Sequence, residues 1–151
     1  MTEPDHTAFI RQAYQLAAEA AARGDDPFGA LLVADGRVVF TAGNTVYTGR
    51  DLTRHAELNL VSGAAQALPA DLLAQATLYT STEPCVMCSG AIYWVGLRRV
   101  VFGCSAAAVA RRYGATWAVA CRDTFARLHS TIEVIGPVLE AEGLELHKPG
   151  L

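Results

Sequence analysis

The sequence predicts an α/β fold, a three-layer α/β/α sandwich. Two observations carry this expectation. Segments with apolar residues at helical spacing alternate with short runs rich in β-branched residues. Strands separated by whole helices need crossover connections, so part of the sheet must be parallel and covered on both faces. The chain has 151 residues, 52% hydrophobic and 18% charged, which suits one domain over residues 1–151 with a substantial core. No repeat, low-complexity block or linker interrupts it.

The elements follow in order. Phe9, Ile10, Ala13, Leu16, Ala17 and Ala20 recur at helical spacing, predicting a helix from about Pro4 to Arg23, ended by Gly24. Ala30 to Val33 and Val38 to Thr41 read as two strands around Asp35-Gly36, a hairpin signal. A helix is expected from His55 to Leu68, stopped at Pro69. Thr77 to Ser81 reads as a strand, and Cys85 to Val95 as a helix opened by Pro84. Arg99 to Gly103 is a strand. Helices are expected near Ala106 to Arg112 and Asp123 to Leu128. A last strand spans Thr131 to Ile135, and a last helix Val138 to His147.

Charge excludes some partners. The net charge is −3 and the pI about 5.7, which gives no general attraction to nucleic acid or to an anionic membrane. Arg98-Arg99 and Arg111-Arg112 are the only adjacent basic pairs and read as solvated faces. No run of about 18 apolar residues is present, so no membrane span is expected. Thr2-Glu3-Pro4-Asp5 lacks the basic and apolar regions of a secretory signal, so a cytoplasmic location is expected. Four cysteines in such a chain point to a metal or a reactive thiol before a disulfide framework.

Three ligand-type residues stand at helix starts: His55 opens one helix, Cys85 opens another, and Cys88 lies one turn on. Residues three apart on a helix share a face, so Cys85 and Cys88 can grip one ion. A helix N-terminus favours negative charge and so presents thiolates. Two thiolates and an imidazole suit zinc, and three protein ligands leave a fourth position for water. Glu57, two residues past His55, faces away from the ligand direction and is expected to move protons rather than bind metal. A structural zinc site would want a fourth protein ligand. Cys104 and Cys121 have no partner at ligand spacing and read as small core residues. His6, His129 and His147 likewise receive no role.

The pattern His55-Ala56-Glu57 followed by Pro84-Cys85-Val86-Met87-Cys88 matches the H-x-E…P-C-x-x-C signature of zinc deaminases. From Pro27-Phe28-Gly29-Ala30 to Val101-Phe102-Gly103 the chain resembles the cytidine deaminase superfamily, which implies a mixed five-stranded sheet between helices. Within it, Glu83 to Trp94, with Tyr93-Trp94 the telling part, resembles guanine deaminases of the cytidine-deaminase type. The resemblance implies that Asn44 hydrogen-bonds the base and that the Ala56 N–H binds a polar ring atom. It also implies that Phe28 and Trp94 flank the base. A flat heterocycle wants aromatic walls, and Trp94, six residues past Cys88, is expected to reach the pocket. Those guanine deaminases carry acidic residues after the fourth strand, where this chain reads Tyr113-Gly114-Ala115-Thr116-Trp117. A replacement acid is expected from the C-terminal segment, with Glu142 ahead of Glu140, and Asp123 also considered.

The expected activity is zinc-dependent hydrolytic deamination of a small amino-heterocycle, guanine to xanthine and ammonia being the best match. Alternatives are guanosine, cytosine or cytidine, isocytosine and an aminotriazine. A tRNA adenosine deaminase would need a basic surface, which the net charge disfavours. A non-enzymatic zinc module would leave Glu57 without a purpose. No nucleic-acid or membrane partner is expected, and the resemblance implies a homodimer.

Overall fold

The computed structural model describes residues 5–148. Helix α1 (His6–Ala22) starts where Asp5 Oδ1 accepts the Ala8 N–H at 3.2 Å, and it buries Ile10, Ala13, Tyr14, Ala17 and Ala20 along one stripe. Pro4, the expected start, lies outside the described residues. Strands β1 (Gly29–Ala34) and β2 (Arg37–Gly43) form the expected hairpin. Asp35 and Gly36 both take positive φ, 52° and 72°, as a two-residue turn of matching twist requires. Gly29 is needed for a different reason. A Cβ there would lie 2.6 Å from the Ala13 carbonyl oxygen, so α1 crosses β1 at backbone distance.

The chain continues through α2 (Ala56–Ala67), α3 (Ala70–Gln75), β3 (Thr77–Thr82) and α4 (Val86–Val95). It ends with β4 (Arg99–Cys104), α5 (Ala106–Arg112), α6 (Cys121–Arg127), β5 (Glu133–Ile135) and α7 (Glu140–Leu144). The strands form one sheet in the order β2-β1-β3-β4-β5. β1 runs antiparallel to β2 and β3, while β3, β4 and β5 run parallel, so the sheet is mixed and five-stranded.

Alternation along the strands builds two cores. Leu31, Val33, Tyr79 and Val101 face α1 with Ile10, Ala13 and Tyr14. Ala30, Leu32, Leu78, Val100 and Phe102 face the other way, toward Leu60, Val61 and Ala64 of α2, Ile92 of α4 and Phe125 of α6. Both faces of the sheet are thus covered, giving the three layers.

Three expectations need correction. Pro69 does not only stop a helix. It caps α3, whose first turn has no use for the missing proline N–H. The last helix is five residues rather than ten: Leu139 sits in the left-handed region at φ 55°, so the helix starts only at Glu140, and it ends at Leu144. The last strand begins at Glu133, two residues later than expected.

Candidate active site

The site gathers at the ends of β1 and β3 where the chain turns into loops and helix starts. His55 precedes α2 with extended backbone, φ −65° and ψ 155°, and Cys85 precedes α4 likewise, φ −70° and ψ 176°. Neither side chain caps its own helix, so both are free to turn toward each other. Cys85 Sγ and Cys88 Sγ lie 3.6 Å and 3.8 Å from His55 Nδ1. All three donor atoms fall within 4.8 Å of one another, a set that can hold one metal ion.

Surrounding contacts hold this geometry. Glu83, just before Pro84, accepts the Ala106 N–H at 2.9 Å and the Cys121 N–H at 2.7 Å, tying the turn into α4 to the starts of α5 and α6. The loop that delivers His55 is fixed by Asp25. Its carboxylate accepts the N–H groups of Tyr47 and Thr48 at 3.0 and 2.9 Å and the Thr48 hydroxyl at 2.8 Å. Arg23 adds an ion pair at 3.4 Å. Those hydrogen bonds, led by the Thr48 N–H, hold the Asp25 carboxyl below its usual range. Asn59 ties the same loop to the Gly43 carbonyl and the Thr45 hydroxyl.

The donor chemistry fits zinc. A hydrogen bond from the Cys88 thiol, helped by His55, holds the Cys85 thiol well below its ordinary value. The same bond, with burial, pushes Cys88 up. One thiolate therefore forms readily beside a neutral ligand, and a soft cation draws the second proton off. Glu57 is buried beside this cluster. Burial pushes its carboxyl up to about 7, with the Cys85 sulfur adding and His55 opposing.

Two of the donors, His55 and Cys85, border a cavity of about 360 Å³ together with Glu57, Phe28 and Asn44, while Cys88 lies fully buried behind them. Ala56, whose backbone N–H lies in the first turn of α2, is fully buried between two of these residues. The Asn44 Oδ1 accepts the Val46 N–H at 3.0 Å, so its NH₂ is the group left to offer.

Two residues expected here are elsewhere. Trp94 is 82% exposed on the outer side of α4, edge-on to Tyr93, and does not line the cavity. Six residues past Cys88 is about 240° round a helix, so the two cannot share a side. Glu142 is exposed and pairs with Arg11 at 3.0 Å on the α1 face. Glu140 accepts the Ser105 N–H at 2.8 Å, and Asp123 lies in the first turn of α6; neither lines the cavity.

Other residues take their place. Asp26, Trp117 and Val119 line the cavity. The C-terminal segment does come near it, through His147 rather than a carboxylate. The buried His147 ring lies 5.3 Å from that of Phe28, and its Nδ1 is 2.9 Å from the Tyr113 hydroxyl. Burial, with Arg112 adding, holds that imidazole below its usual value, so it is neutral. Asp26 was detectable only by adjacency to Pro27-Phe28. Trp117 stands in the segment notable for its missing acid. His147 has no sequence partner to reveal it.

A mixed five-stranded sheet with a His–Cys–Cys cluster at two helix starts and a buried carboxyl beside it defines a zinc-binding hydrolytic domain. The chain belongs to the family described as the cytidine and deoxycytidylate deaminase zinc-binding region, whose model matches residues 3–104. It is therefore a zinc-binding hydrolytic deaminase. It is 39% identical over 147 residues to a probable cytosine deaminase of Schizosaccharomyces pombe, covering 93% of this chain and 89% of that one. It is 41% identical over 99 residues to guanine deaminase of Bacillus subtilis, covering 65% of this chain and 64% of the relative. The X-ray structure of guanine deaminase from that organism superimposes with a TM-score of 0.68 at 32% identity, over 93% of this chain and 90% of that one. A tRNA-specific adenosine deaminase of Agrobacterium fabrum is 39% identical over 99 residues, covering 66% and 65%.

Proposed function

We propose that this chain hydrolyses the amino group from a free amino-oxo heterocycle, guanine in the first instance, releasing ammonia. The observation that carries the substrate class is the fixed Asn44 amide. With Oδ1 taken by Val46, the NH₂ is the donor it presents, and the first-turn N–H of Ala56 is a second. Such donors suit a ring carbonyl, which guanine and cytosine have and adenine lacks. Phe28 supplies an apolar wall for the ring.

When bound by His55, Cys85 and Cys88, zinc supplies a water that ionises near neutral pH. Glu57, whose carboxyl is pushed up to about 7, exchanges protons in that same range. It takes a proton from the attacking water and gives it to the ring nitrogen beside the attacked carbon. It then takes the remaining proton of the added hydroxyl and passes it to the amine, so that the C–N bond breaks, ammonia leaves and the hydroxyl becomes a ring carbonyl.

A second reading, cytosine, is favoured by the match to the probable cytosine deaminase, which runs nearly the length of both chains. The segment Tyr113 to Trp117, without an acid, weighs against guanine. Transfer RNA is not the expected substrate, because among the described residues no Lys or Arg lines the cavity and the net charge is −3. Among the described residues no helix is long and apolar enough to cross a membrane, and the four cysteines are free, which suits a reducing cytoplasm. Trp94, Val86 and Met87 leave an apolar stretch of α4 exposed, which suits pairing with a second copy as a homodimer.

Ammonia release from guanine, cytosine, isocytosine, adenine, an aminotriazine, guanosine, cytidine and a transfer RNA tests this directly. Turnover of guanine or cytosine is expected. Release from adenosine in tRNA alone would overturn the proposal.

A further inference from the structure

Two consecutive acids, Asp25 and Asp26, have opposite surroundings. The Asp25 carboxylate is taken up by the Tyr47 and Thr48 N–H groups, the Thr48 hydroxyl and Arg23. The half-buried Asp26 carboxylate accepts no hydrogen bond and forms no ion pair among the described residues, yet it lines the cavity. Its position is not loose. The Phe28 N–H donates to the Asp26 carbonyl at 2.8 Å across Pro27, a tight turn that sets Asp26 and the Phe28 ring on the cavity together.

The cavity therefore offers a substrate a donor from Asn44 and an acceptor from Asp26, and Glu57, His55 and Cys85 line it too. A carboxylate facing a cavity without a cation of its own wants an N–H or O–H from the ligand. In free guanine and free cytosine, one N–H is the ring nitrogen that carries the sugar in a nucleoside. Resting on the proposed free-base activity, we propose that Asp26 is a specificity-determining residue. It accepts a hydrogen bond from that ring N–H and so selects the free base over its N-substituted forms.

The test compares kcat/KM of the zinc-loaded enzyme on a free base and on its analogue methylated at the sugar-bearing nitrogen, 9-methylguanine or 1-methylcytosine, with the nucleoside alongside. Wild type should favour the free base. Asp26→Ala removes a hydrogen bond to a charged group, so it should lower kcat/KM on the free base by about 10- to 100-fold. Most of that loss should be in KM, with the methylated analogue changed less than about threefold. Asp26→Asn, which keeps the shape, should fall between. Calorimetric binding of the free base to Glu57→Gln, with and without Asp26→Ala, should show the same loss without turnover. Melting temperature and zinc content should match wild type in every variant. Equal losses on base and methylated analogue, no loss at all, or a loss confined to the nucleoside would overturn the role of Asp26 while leaving free-base turnover standing. A wild-type enzyme that deaminates no free base would overturn both readings.

Discussion

Cys85 Sγ stands 3.6 Å from His55 Nδ1 although 30 residues separate them, and each is the extended residue immediately before a helix. Two helix starts thus meet at one point, where both dipoles favour the negative charge of thiolates. Purified protein should carry about one zinc per chain by elemental analysis. Cys85→Ser, Cys88→Ala and His55→Ala should each lose most of the metal and the activity. Full zinc occupancy in Cys88→Ala would remove that sulfur from the ligand set.

The Glu57 carboxyl is buried beside those donors but is not one of them. Glu57→Gln keeps size and a hydrogen-bonding head while losing the ability to move a proton. General acid–base catalysis contributes a factor of about 10² to 10⁴, and one carboxyl here serves several transfers, so kcat should fall at least 10³-fold. Zinc content and melting temperature should stay near wild type. Ammonia release within tenfold of wild type would exclude Glu57 as the proton carrier.

How much of this was legible depends on whether a residue's position is set locally. The hairpin followed from Asp35-Gly36, and α4 from Pro84, because backbone preference acts within a few residues. The cluster of His55, Cys85 and Cys88 was legible for the same reason, since ligand spacing and helix starts are local features. Asp26 and Trp117 reach the cavity from loops, where no periodicity marks a side chain's direction. Pro69 was ambiguous, because proline both ends one helix and opens the next. Glu142 carried no signal of its partner Arg11, which lies 131 residues away.

The Asp25 carboxylate gives a prediction with a definite sign in pH. Its folded pKa lies below the ordinary 3.8, so it stabilises the fold fully above that value. The contribution is lost as pH falls from there through the lower folded value. Asp25→Asn should therefore melt at a lower temperature than wild type at pH 7, with the gap closing below about pH 4. A gap that stays constant from pH 7 to pH 3 would show that the charge of Asp25 is not what holds the loop around Tyr47 and Thr48.

Trp94 and Trp117 are both exposed, 82% and 78%, but only Trp117 borders the cavity. Their roles should separate accordingly. An aromatic stacked on a base is worth about 1–3 kcal/mol. If Trp117 covers the ring opposite Phe28, Trp117→Ala should lower kcat/KM by roughly 10- to 100-fold, with Trp117→Phe mild, by steady-state kinetics on the best base of the panel. Trp94→Ala should leave kcat/KM within about threefold at protein concentrations where the proposed dimer would be intact. It should instead weaken self-association in sedimentation velocity, because truncating a large exposed apolar side chain removes contact area from the α4 surface. The reverse result, with Trp94→Ala crippling kcat/KM and Trp117→Ala silent, would mean that the base stacks on Trp94. Since Trp94 points away from its own chain's cavity, that outcome would require the ring to be completed by a second copy.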